Sequence, residues 1–239
     1  MEKIITYETL SAFCYSNDKE INGEIKGIAI SFSGLNHTKM GPESEEFAKR
    51  SAEKGIINIS PYENPWAWMN RQAISFVDEI VDVLFEKYGL KENLPIVTMG
   101  GSMGGLSSLV YTRYAKRQPV LCTTLCPVCD LPYHYTERPD LPRTLYSAFG
   151  NEDGKMEDIL KKYSPYHLAK EMPDIDYILF LCDEDKAVNM QSHGEKFISR
   201  MKEENKNVKK YVLHGFEHCQ IDHDHKEIWF EAIFDKIEK

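Results

Sequence analysis

Apolar positions along the chain fall into two alternating rhythms. Short apolar runs read as strands: "KGIAISFSG" (26–34), "IINIS" (56–60), "PIVTMG" (95–100), the stretch 120–125, "IDYILFLC" (175–182) and "VKKYVLH" (208–214). Longer stretches between them carry apolar residues at helical spacing. "PESEEFAKRSAEKG" (42–55) has Pro42 near its start and Gly55 at its end. Residues 71–88 place Ile74, Val77, Ile80, Leu84 and Tyr88 on one stripe closed by Gly89. Helices are further expected over 103–117, 189–204 and 224–237, the last with Trp229, Ile233 and Ile237 at i, i+4, i+8. Two β-type stretches, around Lys3–Leu10 and Ser11–Ser16, open the chain.

Strands alternating with helices predict an α/β fold, a mainly parallel, doubly wound sheet covered on both faces. Ligands of such sheets lie beyond the carboxyl ends of the strands, so residues just after each strand are the first candidates for function. No repeat or linker interrupts the 239 residues, which read as one domain, 1–239. The stretch 130–172, rich in Pro and Tyr, breaks the rhythm and is expected to be a small insertion, or lid, over the functional end of the sheet.

Composition narrows the classes. A net charge of −9 opposes binding to nucleic-acid phosphates. No apolar run approaches the ~20 residues that span a bilayer, so no membrane partner is expected. The start, "MEKIITYETLSAF", lacks a basic flank before an apolar stretch, and a cytoplasmic location is the expectation. Among six cysteines, Cys122, Cys126 and Cys129 show the C-x3-C-x2-C spacing of radical iron–sulfur enzymes. They fall in "PVLCTTLCPV", however, which reads as a buried strand with Cys122 and Cys126 on one face, so inert core thiols are expected. His223 and His225, two residues apart, do not share a helix face, and no metal or cofactor is expected there or elsewhere. The Glu/Lys runs at 157–162 and 202–210 read as solvated surface.

Chemistry concentrates in "IVTMGGSMGGLSSLVY" (96–111), where a strand becomes a helix around one serine among four glycines. A serine hydroxyl attacks only when a base removes its proton and its oxygen stands clear of the backbone. A sharp strand-to-helix turn exposes the oxygen, but tolerates only very small neighbours; Gly100-x-Ser102-x-Gly104 supplies them. Chance alone would produce this pattern about 0.05 times in a chain of such composition. A base and its orienting acid should then follow at later strand ends, in the order serine, acid, histidine. "DEDKAV" after the strand at 175–182 offers Asp183, Glu184 and Asp185. "HGFEHCQ" offers His218, with His214 still on its strand.

With these residues the chain resembles the α/β-hydrolase superfamily, and within it the prolyl-oligopeptidase-like and dienelactone-hydrolase-like serine esterases, from "ISFSGLNHT" to the last helix. "CDEDKAV" matches the superfamily's acid loop at Asp185 and Val188, with Cys182 replacing the usual glycine and Asp183 left as the alternative acid. "GFEHC" matches its histidine loop at His218. The resemblance implies a catalytic triad of Ser102, Asp185 and His218. It also implies an oxyanion hole from the backbone N–H groups of Met103 and Leu35, with Ser33 replacing the usual histidine of "FSGLN".

The expected activity is that of a serine hydrolase, a carboxylesterase for small or medium acyl esters, of the carbohydrate acetyl or feruloyl type. Two alternatives stay open: a prolyl-oligopeptidase-like serine peptidase, for whose substrate-selecting propeller 239 residues leave no room, and a non-catalytic ligand-binding protein on the same fold. The expected partner is a small-molecule ester or a short peptide, and self-association into a homo-oligomer is left open. Trp66, Trp68 and Tyr133 are nominated by position to line the substrate pocket, with Tyr62, His134 and Tyr135 nearby.

Overall fold

The computed structural model describes residues 4–239. Seven strands form one sheet: β1 (Cys14–Ser16), β2 (Gly27–Phe32), β3 (Ile56–Pro61), β4 (Ile96–Gly101), β5 (Leu121–Leu125), β6 (Asp176–Cys182) and β7 (Asn207–Leu213), in the order β1-β3-β2-β4-β5-β6-β7. Only β1 runs antiparallel, pairing Cys14 with Pro61; the remaining pairs are parallel. This is the α/β-hydrolase arrangement. Of the expected opening strands, the Lys3–Leu10 stretch forms turns instead, with Lys3 outside the described residues. The second shrinks to Cys14–Ser16, because a 3-10 turn occupies Leu10–Ala12.

Helices α1 (Glu45–Glu53) and α9 (His223–Glu238) cover one face of the sheet; α2 (Arg71–Tyr88), α3 (Met103–Tyr114) and α8 (Lys196–Glu203) cover the other. β2 is buried along its whole length, as a strand covered on both faces must be: Ile28, Ile30 and Phe32 pack towards α2 and α3, and Ala29 towards α1 and α9. On the α1–α9 side Phe47 stacks on Phe234, ring centroids 5.4 Å apart. Arg50 clamps Glu227 and Glu231 of α9 at 2.7 Å each. Ser44 caps α1 through the Phe47 N–H, and Asn70 caps α2 through the Ala73 N–H. Gly89 closes α2 in the left-handed conformation at φ 57°, where a side chain would strain the backbone.

The stretch 130–172 folds as four short helices, α4 (Leu131–Glu137), α5 (Leu141–Phe149), α6 (Met156–Lys162) and α7 (Pro165–Leu168). Leu131, Leu141, Leu145, Phe149 and Leu160 join the core that includes Trp68 and α2. The helix expected over 189–204 begins with a π-type turn, Gln191–Glu195. Gly194 lies so close to Leu181 that a Cβ there would come within 2.5 Å of its methyl carbon. No helix among the described residues is long and apolar enough to cross a membrane.

Candidate active site

β4 ends at Gly101 and α3 begins at Met103, so Ser102 makes the whole reversal alone, at φ 57° and ψ −123°. Its strained backbone is braced on both sides: its N–H donates to the Leu125 carbonyl at 2.9 Å, and its carbonyl accepts from Leu106 and Val128. The flanking glycines are a steric requirement. A Cβ on Gly104 would stand 2.2 Å from the Phe32 carbonyl oxygen, and one on Gly100 would stand 2.5 Å from that of Gly104. The sequence pattern around the serine thus has a physical origin in how tightly β2, β4 and α3 meet.

Two loops at the same sheet edge reach this serine. Asp183 N–H bonds to the Leu213 carbonyl and Glu184 N–H to that of Phe216, which locks the loop after β6 against the loop after β7. Buried Asp185 accepts the Ala187 and Val188 amides on Oδ1, each at 2.8 Å. Its Oδ2 lies 2.6 Å from His218 Nδ1, and His218 Nε2 lies 2.9 Å from Ser102 Oγ. A carboxylate only accepts, so Nδ1 carries the imidazole proton and Nε2 presents its lone pair to the serine hydroxyl. Three residues from three strand ends form one continuous proton path.

The alternative acid and base pair with each other instead. Asp183 meets His214 Nδ1 at 2.7 Å and the Gly215 amide at 2.8 Å. The His214 bond holds the Asp183 carboxyl below its ordinary pKa, and His214 itself is largely exposed. Neither residue points into the site.

Met103 opens α3, where first-turn amides lack a helical partner, and Leu35 follows β2 in the loop whose Phe32 and Ser33 carbonyls press on Gly104. Ser33 anchors that loop through Glu43. Of the nominated pocket residues, Trp66 lines a cavity of about 300 Å³ together with Tyr62, Glu63, Asn70, Phe76 and Ser147, and its indole N–H bonds to Asn36. Burial and the nearby Glu43 push the Glu63 carboxyl up to about 8, and its Oε1 has no hydrogen-bond partner. Trp68 does not line a pocket: it is fully buried, with its N–H on Thr144 Oγ1 at 3.0 Å, because the insertion packs down on it. Tyr133 is 41% exposed and lies against His193, away from that cavity.

Two clusters escaped sequence reasoning. Buried His134 Nδ1 and His193 Nε2 both meet Glu137 Oε2, at 2.5 and 2.8 Å, tying α4 to the π-type turn. His134 and Glu137 sit three apart on one helix, a weak signal; nothing in the sequence points to His193. The second cluster joins Cys126, Cys182 and Cys219 behind the serine. The Cys182 thiol donates to the Gln220 carbonyl and the Cys219 thiol to that of Leu125, so both are held by backbone oxygens. Cys126 does not share a face with Cys122, contrary to the period-two expectation. It lies beyond the end of β5 at φ 47°, which turns it towards Phe180 and Trp229, whereas Cys122 and Cys129 pack beside Tyr177 and Phe197 on the other face.

The model of the prolyl oligopeptidase family matches residues 77–238. No curated protein matches the sequence. Among solved structures, the fold is similar to a puromycin-hydrolyzing peptidase of Mycobacterium tuberculosis (TM-score 0.73, 15% identity, 90% of this chain and 34% of that one). It is similar also to the acylaminoacyl peptidase of Pyrococcus horikoshii (TM-score 0.71, 11% identity, 92% of this chain and 38% of that one). A third similar structure is esterase 2 of Thermogutta terrifontis, phosphonylated by sarin (TM-score 0.62, 17% identity, 88% of this chain and 82% of that one). The chain therefore spans little more than a third of the length of the two peptidases.

Proposed function

The chain belongs to the prolyl oligopeptidase family, and from that premise we propose that it is a serine hydrolase that cleaves small or medium acyl esters through an acyl-enzyme. The observation that carries this reading is the unbroken hydrogen-bond path from Ser102 Oγ through His218 to Asp185. His218 takes the hydroxyl proton as Ser102 attacks the acyl carbonyl, and Asp185 holds the required tautomer and stabilises the imidazolium that forms. The Met103 and Leu35 amides receive the oxyanion of the tetrahedral intermediate. The imidazolium then protonates the leaving alcohol, and water repeats the sequence in reverse to free the acid.

The ester preference rests on reactivity. An alcohol leaves more readily than an amine, so any acyl group that fits this site is released from its ester first. A carbohydrate acetyl or feruloyl ester is the substrate class proposed; the cavity walled by Tyr62 and Trp66 has none of Ser102, Asp185 and His218 in its lining and is not assigned to the acyl group. The second reading, a peptidase, is favoured by the family match and by the two similar peptidases. Single domain organisation, a lid role for 130–172 and a cytoplasmic location are part of the same proposal. A panel of p-nitrophenyl esters of rising acyl length, run beside aminoacyl and prolyl amides with Ser102→Ala as control, tests it. Ester turnover lost in the control supports the esterase; amide turnover exceeding ester turnover replaces it with the peptidase; turnover or fluorophosphonate labelling undiminished in the control overturns the nucleophile.

A further inference from the structure

We infer that Cys126, Cys219 and His218 form a binding site for a soft divalent metal ion of the zinc and cadmium class, and that occupation withdraws His218 from Ser102. The inhibitory half of this inference rests on the hydrolase reading above; the binding half does not.

The donor atoms of the three residues all lie within 4.8 Å of one another. Cys219 Sγ and His218 Nε2 are 3.7 Å apart. Two ligands at zinc–sulfur and zinc–nitrogen bond lengths, at the tetrahedral angle, stand about 3.6 Å apart. The two thiols are aimed by unusual backbone: Cys126 and Cys219 hold φ 47° and 56°. Room for the second thiol comes from Gly101, where a Cβ would stand 3.2 Å from Cys219 Sγ. His218 presents the Nε2 lone pair while Nδ1–H is held by Asp185, the arrangement in which a carboxylate orients an imidazole that ligates metal. The tautomer that makes His218 a base thus also makes it a ligand. Its side chain is 27% exposed, giving an ion a path from solvent, and a water or Ser102 Oγ, 2.9 Å from Nε2, is placed to complete four ligands.

Binding involves no change of oxidation state. Cys126 and Cys219 each release a proton to solvent, two metal–sulfur bonds and one metal–nitrogen bond form, and the Ser102 hydroxyl loses its proton acceptor. The other compact donor group, His134, Glu137 and His193, fails the same test despite its spacing. His193 Nδ1 accepts the Cys129 and Asp130 amides at 3.2 Å, so the proton must sit on Nε2, the atom facing Glu137, and no lone pair is left for a metal.

The test uses the full chain, reduced and metal-free, titrated with cadmium and then zinc ions. Cadmium should produce a near-ultraviolet thiolate charge-transfer band saturating at one equivalent, and zinc should displace it. Zinc should shield Cys126 and Cys219, but not the remaining thiols, from alkylation mapped by mass spectrometry. Ser102→Ala should keep the band, which separates failure of the hydrolase reading from failure of the site. Cys219→Ala and Cys126→Ala should each weaken binding at least about tenfold, since even residues that only support ligands cost that much. Ester turnover in the wild type should fall with the same midpoint as the band grows. Absence of the band, or shielding elsewhere, overturns the site even if a cysteine variant fails to fold. Zinc inhibition equally strong in both folded cysteine variants also overturns it.

Discussion

Two of the places where this protein holds an imidazole against a carboxylate end differently. At the sheet edge Asp185 grips His218 Nδ1, and the far nitrogen faces a hydroxyl and solvent. Between α4 and the π-type turn, Glu137 grips His193 Nε2, and the far nitrogen is consumed by two backbone amides. The first pair has an open end through which a proton can travel; the second is closed and can only hold two elements together. Carboxylate–imidazole geometry is therefore no mark of catalysis until the other ring nitrogen is accounted for.

The comparison can be broken most directly at the open end. Ser102→Ala should reduce ester turnover by about 10⁴–10⁶-fold with folding intact, measured as kcat beside the thermal midpoint. Asp185→Asn should cost about 10⁴-fold by leaving His218 in the wrong tautomer. Asp183→Asn, at the exposed pair with His214, should change kcat by less than about threefold, as exposed ion pairs are weak. Equal losses at the two aspartates would dissolve the distinction between them.

The closed end should respond in stability rather than rate. Glu137→Ala removes the acceptor shared by two buried histidines and should cost about 2–4 kcal/mol in chemical denaturation. Turnover per folded molecule should fall far less than in Asp185→Asn. Acid should expose the same cluster. Burial holds His134 below its ordinary pKa, so its contribution is full above about 6.5 and is lost as pH falls below it. Burial alone would raise Glu137, but the bonds from His134 and His193 outweigh it and hold the carboxyl at about 2. That share is present above about 4.5 and fades as pH falls towards 2. Denaturation midpoints should decline as pH falls from 7 towards 2, and Glu137→Ala should flatten the part of the decline below about 4.5.

The smallest effect is expected at Glu63, the carboxyl with no imidazole beside it. Burial raises its pKa to about 8, so it disfavours the fold increasingly as pH climbs from about 4.5 through 8. Glu63→Gln should stabilise the protein at pH 9 by about 1 kcal/mol and leave it little changed at pH 5.

The sequence by itself determined the strands β2 to β7, the flanking helices and the small residues about Ser102. Each is written in local periodicity or in a steric demand between near neighbours: Gly104 is small because Phe32 leaves no space. Order along the chain also brought Asp185 and His218 forward as candidates, since both follow strands. What only the tertiary structure decided are contacts whose partners lie far apart in the chain. The pairing of Asp183 with His214, the burial of Trp68 beneath Thr144, the closed triangle at Glu137 and the turning of Cys126 away from Cys122 carry no periodic trace. They follow from how loops after separate strands are pinned to one another, and a pattern confined to neighbouring residues contains no information about that.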